Sequence, residues 1–207
     1  MPEYSEYTYC DTAPTHAHQH LAPALRNLLG GDHVRLLDLG CGNGSLTSAV
    51  IPEDCEAHAV DLSESGTGRA KLSFPQVRFH CLDVTGDLSA IPGFGSFDVV
   101  ISAEVVEHVY LPRNLVKHAY EALRPGGRAI ITTPYHGYWK NLALALTGKL
   151  DAHFTALWDC GHIKFWSRAT LTQLLEEAGF RIERFAGIGR VPFLWRSMIL
   201  VARKPAI

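Results

Sequence analysis

Two carboxylates and an imidazole lie close together in the stretch Glu104-Val105-Val106-Glu107-His108. In a helical turn, Glu104, Glu107 and His108 would stand at positions i, i+3 and i+4, on one face. Carboxylate oxygens and imidazole nitrogens at that spacing are suitable ligands for one divalent metal ion. A metal lowers the pKa of a bound hydroxyl, and a histidine can take the released proton. The stretch therefore indicates a site that activates an alcohol or a phenol.

A glycine-rich turn comes earlier in the chain, directly after the apolar run at residues 34–39. Gly40, Gly42 and Gly44 would let the backbone turn tightly and approach a ligand without a side-chain clash. Such turns also occur in nicotinamide-binding domains. In those domains the pattern is usually Gly-x-Gly-x-x-Gly, whereas its sixth position here, counted from Gly40, is Ser45.

Acidic residues stand at the ends of the next predicted strands. Asp61 follows the run at 55–60 and could accept hydrogen bonds from two ribose hydroxyls. Asp83 follows the run at 77–82 and could accept from an adenine amino group. The alternative is that both acids cap the helices that follow them. Together with Glu104, they would line one crevice at the carboxyl edge of a sheet.

Alternating strand and helix patterns position these residues. Apolar runs predict strands at 34–39, 55–60, 77–82, 97–103 and 128–133, with helices between them, which favours a mostly parallel sheet covered on both faces. A helix over 167–178 is followed by an antiparallel pair at 180–187 and 198–203. A further helix is predicted over 12–30. No repeat or linker divides the chain, so we expect one domain over 1–207.

Composition excludes several classes of protein. The 207 residues are 47% hydrophobic, yet no run of about 18 apolar residues would span a membrane. The N-terminus lacks a signal pattern, so we expect a cytoplasmic protein. A net charge of -2 disfavours a nucleic-acid partner, and the five cysteines form no CxxC pair. Nothing in the sequence sets the oligomeric state.

In their order, these motifs resemble those of class I S-adenosylmethionine (SAM)-dependent methyltransferases. The resemblance covers about residues 34–204 and implies an α/β fold, a Rossmann-like, doubly wound, seven-stranded sheet, mostly parallel with an antiparallel C-terminal strand. It implies that Gly40 and Gly42 contact the methionine part of SAM, Asp61 the ribose, and Asp83 with Val84 the adenine. The motifs are Asp38-Leu39-Gly40-Cys41-Gly42-Asn43-Gly44, Val60-Asp61-Leu62-Ser63, Leu82-Asp83-Val84, Phe97-Asp98-Val99-Val100 and Leu123-Arg124-Pro125-Gly126-Gly127. The implied cofactor-binding residues are Asp38, Gly40, Cys41, Gly42, Asp61, Leu62, Asp83, Val84 and Glu104.

A later histidine, His162, narrows the resemblance. Glu-x-x-Glu-His followed by such a histidine resembles the ubiquinone-pathway O-methyltransferases and the small-RNA 2′-O-methyltransferases, although Ile163 shifts the spacing from that of the RNA enzymes. By that analogy, Glu104, Glu107, His108 and His162 would hold a divalent metal such as Mg²⁺. We predict His108 as the first candidate for general base and His162 as the second. The alternative is that one acid touches the cosubstrate and the histidine only packs.

Residues 134–166 are predicted to be an inserted segment that walls the acceptor pocket. The aromatic stretch at 135–139 and the apolar stretch at 141–148 suit a flat or apolar acceptor. The resemblance links this segment to lipid substrates and is compatible with peripheral membrane contact. The sequence thus predicts O-methylation of a small phenolic metabolite. The alternatives are N- or C-methylation without a metal and, less favoured, RNA 2′-O-methylation.

Residues 1–30 are predicted to form a helical lid over the cosubstrate. On that helix His16 and His20 would share one face, turned toward the site or toward solvent, whereas His18 would point elsewhere. Tyr7 and Tyr9 are candidates to cover the pocket by the same logic.

Overall fold

The computed structural model describes residues 8–29 and 34–206. The strands in these ranges are β1 (Arg35–Leu39), β2 (Glu56–Asp61), β3 (Val77–Cys81), β4 (Phe97–Ala103), β5 (Leu123–Pro134), β6 (Arg181–Ile188) and β7 (Ser197–Arg203). The helices are α1 (His18–Leu29), α2 (Ser45–Val50), α3 (Glu64–Ser73), α4 (Pro112–Ala122), α5 (Tyr138–Leu146), α6 (Leu150–Phe154) and α7 (Arg168–Glu177). No helix in the described ranges is long and apolar enough to cross a membrane.

The strands form one sheet in the order β3-β2-β1-β4-β5-β7-β6. β1 to β5 pair in parallel, and β7 runs antiparallel to both β5 and β6. This confirms the predicted Rossmann-like sheet with its antiparallel chain end. The strand order reverses direction between β1 and β4, and in open α/β sheets ligands bind at the carboxyl ends of the strands at such a point.

Both faces of the sheet are covered, as the apolar runs predicted. Side chains alternate along β1, so Leu37 and Leu39 join a core that includes α4 and α7, while Leu36 joins a core with α1 and α2. A smaller apolar cluster packs Ala70 of α3 against β2 and β3. This packing holds the carboxyl ends of the strands in fixed register.

Two helices begin at serines whose hydroxyls cap them. The hydroxyl of Ser63 accepts a hydrogen bond from the amide of Gly66 at the start of α3. Ser167 and Thr170 form a capping box that begins α7. Both caps lie just beyond functional segments, because Ser63 follows Asp61 and Ser167 follows the predicted insertion.

The N-terminal helix starts later than predicted. α1 begins at His18, not at residue 12, because the side-chain amide of Asn43 donates to the carbonyls of Asp11 and Ala13, which keeps them out of a helix. The expected common face of His16 and His20 is therefore wrong. Residues 1–7 and 30–33, which include Tyr7 and the predicted end of that helix, lie outside the described ranges.

Another boundary differs on the far side of the sheet. The strand predicted at 128–133 begins earlier, directly after α4 ends at Ala122, because Leu123 already pairs with Phe97. The Arg-Pro-Gly-Gly sequence at 124–127 is thus part of β5.

Candidate active site

The turn after β1 is bent by its glycines and held by β2. The amides of Gly40 and Cys41 donate to the carbonyl of Val60 at 2.8 and 3.0 Å. Gly40 has φ +90°, and a Cβ there would overlap the side chain of Val105. An alanine would therefore be strained and crowded at once. The crowding also shows that the glycine turn lies against the Glu104–His108 segment.

Asp61 is oriented by the turn it was expected to face. Its Oδ2 accepts from the amide of Gly42 at 2.7 Å, and its Oδ1 accepts from the amide of Ser63 at 2.9 Å. The neighbouring Leu62 side chain is exposed. These contacts set the carboxylate at the edge of the crevice, beside the first two glycines.

Asp83 sits at the end of the same crevice and is exposed. Its Oδ1 accepts from both the amide and the hydroxyl of Thr85, each at 2.8 Å, which is the geometry of a turn; no helix lies in the described chain between β3 and β4 for Asp83 to cap, contrary to the alternative interpretation. Val84 is buried in the core below it. A bound adenine would meet Asp83 only through the oxygen that the turn leaves uncommitted.

Asp38 is a buried acid within β1, behind the turn. Its Oδ2 accepts from the hydroxyl of Thr47 at 2.6 Å, while its Oδ1 has no hydrogen-bond partner among the described residues. Burial raises the pKa of this carboxyl to about 7, against the hydrogen bond from Thr47, which lowers it. A carboxyl of this kind is sensitive to any charge that enters the site.

The N-terminal segment crosses the glycine turn. Carbon atoms added at Gly42 and Gly66 would both meet the ring of Tyr9, so this ring fills the space between the turn and α3. The ring of His18, which was expected to point elsewhere, lies 3.3 Å from the hydroxyl of Ser45. The described part of the segment before α1 therefore lies against the glycine turn, without regular secondary structure rather than as the predicted helix.

Glu104 adopts a strained backbone, with φ 57°. Its carboxylate accepts from the hydroxyls of Thr132 at 2.8 Å and Ser197 at 3.2 Å. Burial raises its pKa to about 7, and the two hydroxyls oppose that rise. Both oxygens of Glu104 thus have protein partners, and this acid is turned toward the sheet.

Glu107, His108 and His162 converge instead. One ligand atom from each residue can be chosen so that the three lie within 4.8 Å of one another, and Glu104 does not belong to this group. The carbonyl of Glu107 accepts from the amides of Ile163 and Lys164, which fixes the downstream segment beside the turn. This main-chain pairing explains how His162 reaches a site so far from it in sequence.

Glu107 is almost completely buried, with 1% of its surface exposed. Its Oε2 accepts from the hydroxyl of Thr133, whereas its Oε1 accepts no hydrogen bond in the described part of the chain. Burial, reinforced by the charge of Glu104, raises the pKa of this carboxyl well above its usual range. An unpartnered buried carboxylate oxygen calls for a cation or a donor.

The tautomer of His108 follows from its neighbours. Its Nδ1 lies 3.0 Å from the carbonyl oxygen of Cys160 and 3.2 Å from that of Gly161. Because carbonyl oxygens only accept, Nδ1 carries the proton and Nε2 keeps a lone pair. Burial lowers the pKa of His108, and burial with the charge of His108 lowers that of His162 to about 4.

The predicted insertion forms a cavity beside these residues, walled in part by the apolar stretch at 141–148 but not by the aromatic stretch at 135–139. Tyr138 and Trp139 are exposed on the outer side of α5. A cavity of about 610 Å³ lies between α5, α6 and the loop that joins β6 to β7. Its lining residues are Pro134, Lys140, Ala143, Leu144, Thr147, Lys149, His153, Arg190, Val191, Leu194 and Arg196.

Sequence reasoning missed the basic members of this wall. Lys140 is the only charged residue of α5, and such an isolated charge within an apolar helix was the available signal. Arg190 and Arg196 come from the β6–β7 loop, for which no sequence pattern indicated proximity to the insertion.

The sheet order, the glycine turn that contacts Asp61, and the acids at the neighbouring strand ends together define a class I SAM-dependent methyltransferase. A family model described as a methyltransferase domain matches residues 12–184, so the chain belongs to this methyltransferase family. SAM is accordingly its cosubstrate.

Curated relatives and solved structures agree with this assignment. The chain is 30% identical to a ubiquinone biosynthesis O-methyltransferase of Bradyrhizobium diazoefficiens, over 81% of this chain and 65% of that protein. It is 26% identical to the enzyme of that name from Aromatoleum aromaticum, over 76% of this chain and 68% of that protein. The chain thus spans about two thirds of these relatives. A magnesium protoporphyrin IX methyltransferase from Synechocystis, solved with bound SAH, superposes with a TM-score of 0.66 at 21% identity, over 91% of this chain and 83% of that one.

Proposed function

We propose that the protein transfers the methyl group of SAM to a hydroxyl of a small aromatic acceptor, a phenol or a catechol. The observation that carries the proposal is the convergence of Glu107, His108 and His162 beside the glycine turn. The two relatives named as O-methyltransferases support the choice of oxygen over nitrogen or carbon.

The cosubstrate would be held by the turn and the acids around it. Gly40, Cys41 and Gly42 allow close approach of the methionine part, and Asp61 with Leu62 would face the ribose. Val84 and Asp83 would border the adenine. Asp38 and Glu104 would act from behind the turn, since both are already engaged by hydroxyls of the protein.

The three convergent residues also suit a divalent metal such as Mg²⁺. Glu107 offers a buried oxygen without a donor, and His108 offers an Nε2 lone pair. His162 lies with its Nε2 4.0 Å from Glu107 Oε1. A bound metal would supply a lowered pKa for the acceptor hydroxyl. Glu104, in the expected ligand set, would support the site through Thr132 and Ser197 instead.

The chain's own residues account for the proton. As the acceptor oxygen attacks the sulfonium methyl, an O–C bond forms and the S–C bond breaks, so the hydroxyl proton must leave. His108 Nε2 is the first acceptor where its lone pair is not bound to a metal, because its Nδ1 proton is held by the Cys160 and Gly161 carbonyls. His162 is the second candidate, since its ring centroid lies 4.8 Å from that of His108.

The test uses the purified full chain, SAM with a labelled methyl group, and 2-aminophenol as an acceptor that offers both oxygen and nitrogen. Mass spectrometry of the product should show O-methylation that is lost with EDTA and restored by Mg²⁺. The variant His162→Ala should lose most of this activity, and His16→Ala, an exposed histidine outside the site, should keep it.

An N-methylated product formed equally well with EDTA would refute the proposal in favour of metal-free N-methylation. A C-methylated product would refute the proposal in favour of C-methylation. Label transferred to small RNA but not to the phenol would indicate the 2′-O-methyltransferase activity.

A further inference from the structure

The cavity beside the active site carries an unusual excess of positive charge. Lys140, Lys149, Arg190 and Arg196 all line it, together with His153, and no carboxylate of the described residues does. Within the described ranges, none of these four cations forms an ion pair with an acid. By contrast, other arginines, such as Arg35 and Arg113, are paired with glutamates. Unpaired cations gathered around one cavity favour an anionic ligand.

Lys140 shows that this charge is not merely solvated surface. Only 6% of its surface is exposed, and among the described residues its ammonium group donates only to the carbonyl of Arg196, at 3.4 Å. Burial and the charge of Arg190 lower its pKa to about 8. A buried cation with one long hydrogen bond is costly unless an anion joins it.

The cavity adjoins the strand residues that hydrogen-bond to the two acids of the active site. Pro134 and Ser197 are paired across β5 and β7. Pro134 follows Thr133, which donates to Glu107, and Arg196 precedes Ser197, which donates to Glu104. A molecule in the cavity therefore contacts Pro134 and Arg196, which are the sequence neighbours of the residues that donate to Glu107 and Glu104.

The remaining walls are apolar and the volume is that of a small-molecule site. Ala143 and Leu144 contribute one side, and Val191 and Leu194 the other. About 610 Å³ lies within the range of about 300 to 1,000 Å³ that is usual for pockets that bind drug-sized ligands. Such a pocket has room for an aromatic ring between the apolar walls as well as for an acidic group among the cations.

We propose that the acceptor is an aromatic acid, whose carboxylate is held by Lys140, Arg190 and the neighbouring cations while its phenolic hydroxyl faces His108. This rests on the proposed function, of which it specifies the acceptor class. Arg190 and Arg196 present planar guanidinium groups that can bind a carboxylate with two parallel hydrogen bonds. The cations would thus select an acidic phenol over a neutral one.

The test measures binding, so that it does not depend on turnover. Isothermal titration with the SAH-saturated protein compares 3,4-dihydroxybenzoate with catechol, which lacks only the carboxylate. The benzoate should bind at least about tenfold more tightly, as expected of charged hydrogen bonds. Arg190→Gln should reduce the ratio of the two affinities to about threefold or less, whereas Arg184→Gln, on β6 and exposed, should leave the ratio unchanged.

Equal affinities for the two compounds would overturn the proposal, as would a ratio that Arg190→Gln does not change. Inorganic phosphate forms the third arm. If phosphate binds with the same dependence on Arg190 and does not compete with 3,4-dihydroxybenzoate, the cavity is a separate anion site and the proposal fails. If catechol is methylated as well as 3,4-dihydroxybenzoate, this inference is refuted and the proposed function is not. Preference for the benzoate without any methyl transfer would refute the proposed function alone.

Discussion

The Nε2 atom of His162 lies 4.0 Å from the Oε1 atom of Glu107, the one oxygen of that buried carboxylate that accepts no hydrogen bond within the described ranges. The two residues are brought together by the amides of Ile163 and Lys164, which donate to the carbonyl of Glu107. This gap is too long for a strong direct hydrogen bond, and it leaves both side chains free to act on a third group.

Glu107→Gln tests whether Glu107 and His162 share a bound metal ion. The amide keeps the shape and the contact with Thr133 but removes the charge, so methyl transfer should fall about 100-fold and the response to added Mg²⁺ should disappear. Binding of SAH, measured by titration calorimetry, should change little, because Glu107 lies outside the predicted cosubstrate residues. Glu176→Gln, an exposed glutamate on α7, is the matched control. Full activity of the Glu107 variant would remove the metal interpretation.

Two glycine variants separate a required glycine from a tolerated one. Gly40→Ala combines a φ of +90° with overlap against Val105, so it should lower the free energy of unfolding by about 2 kcal/mol or more and weaken SAH binding. Gly68→Ala places a methyl group in open space within α3, so it should raise stability by about 0.5 to 1 kcal/mol. Urea unfolding measures both. Equal effects of the two substitutions would contradict the role given to Gly40.

Local patterns were sufficient to predict the sheet. β4 spans the predicted residues 97–103, and the helix predicted from residue 167 begins at its cap Ser167, because apolar runs and serine caps act over a few neighbouring residues. The start of α1 was wrong for the opposite reason. Its limit is set by Asn43, whose amide binds carbonyls about thirty residues away in sequence, and no local pattern reports such a contact.

The active site was predictable only in part, for the same physical reason. Glu107 and His108 are neighbours in sequence, and the resemblance supplied His162. The sequence did not predict that Glu107 faces the histidines while Glu104 is engaged elsewhere. That difference depends on the hydroxyls of Thr132 and Ser197, which lie on two distant strands and bind Glu104. The basic cavity likewise combines Lys140 with a loop that approaches it only after β6 and β7 have paired.

Asp38→Asn should change how stability depends on pH. The raised pKa, about 7 in the fold against 3.8 without perturbation, means that the folded state keeps a proton which the unfolded chain releases. Stability from this group is therefore present at low pH and lost as the pH rises toward 7. Between pH 5 and pH 8, the free energy of unfolding of the wild type should fall by about 2 to 3 kcal/mol relative to Asp38→Asn.

Urea titrations without SAM at the two pH values provide this measurement for Asp38. Asp159→Asn, which removes an exposed carboxylate, controls for the substitution itself and should follow the wild type. Parallel pH profiles for the wild type and Asp38→Asn would show that the carboxyl is already ionised in the folded protein at pH 5.

The lowered pKa of Lys140 predicts that the affinity of the cavity for anions depends on pH. Its pKa of about 8 is lowered by burial and by Arg190, and Glu104 opposes this effect. The ammonium form binds an anion, so affinity should be highest below pH 8 and decline as the pH rises through that value. Benzoate is a suitable probe because it stays ionised and has no phenol, and its Kd should rise about tenfold between pH 7 and pH 9.5.

The histidines near Lys140, namely His136, His153 and His162, have pKa values lowered by burial and by this lysine, so they stay neutral across the range from pH 7 to pH 9.5. Arg190 stays charged throughout, because guanidinium groups do not lose their proton at these pH values. Lys140→Met should therefore bind benzoate weakly with a nearly flat pH profile, while Lys117→Met, an exposed lysine on α4, should keep the wild-type slope. A wild-type Kd that is constant from pH 7 to pH 9.5 would show that Lys140 does not contact the anion.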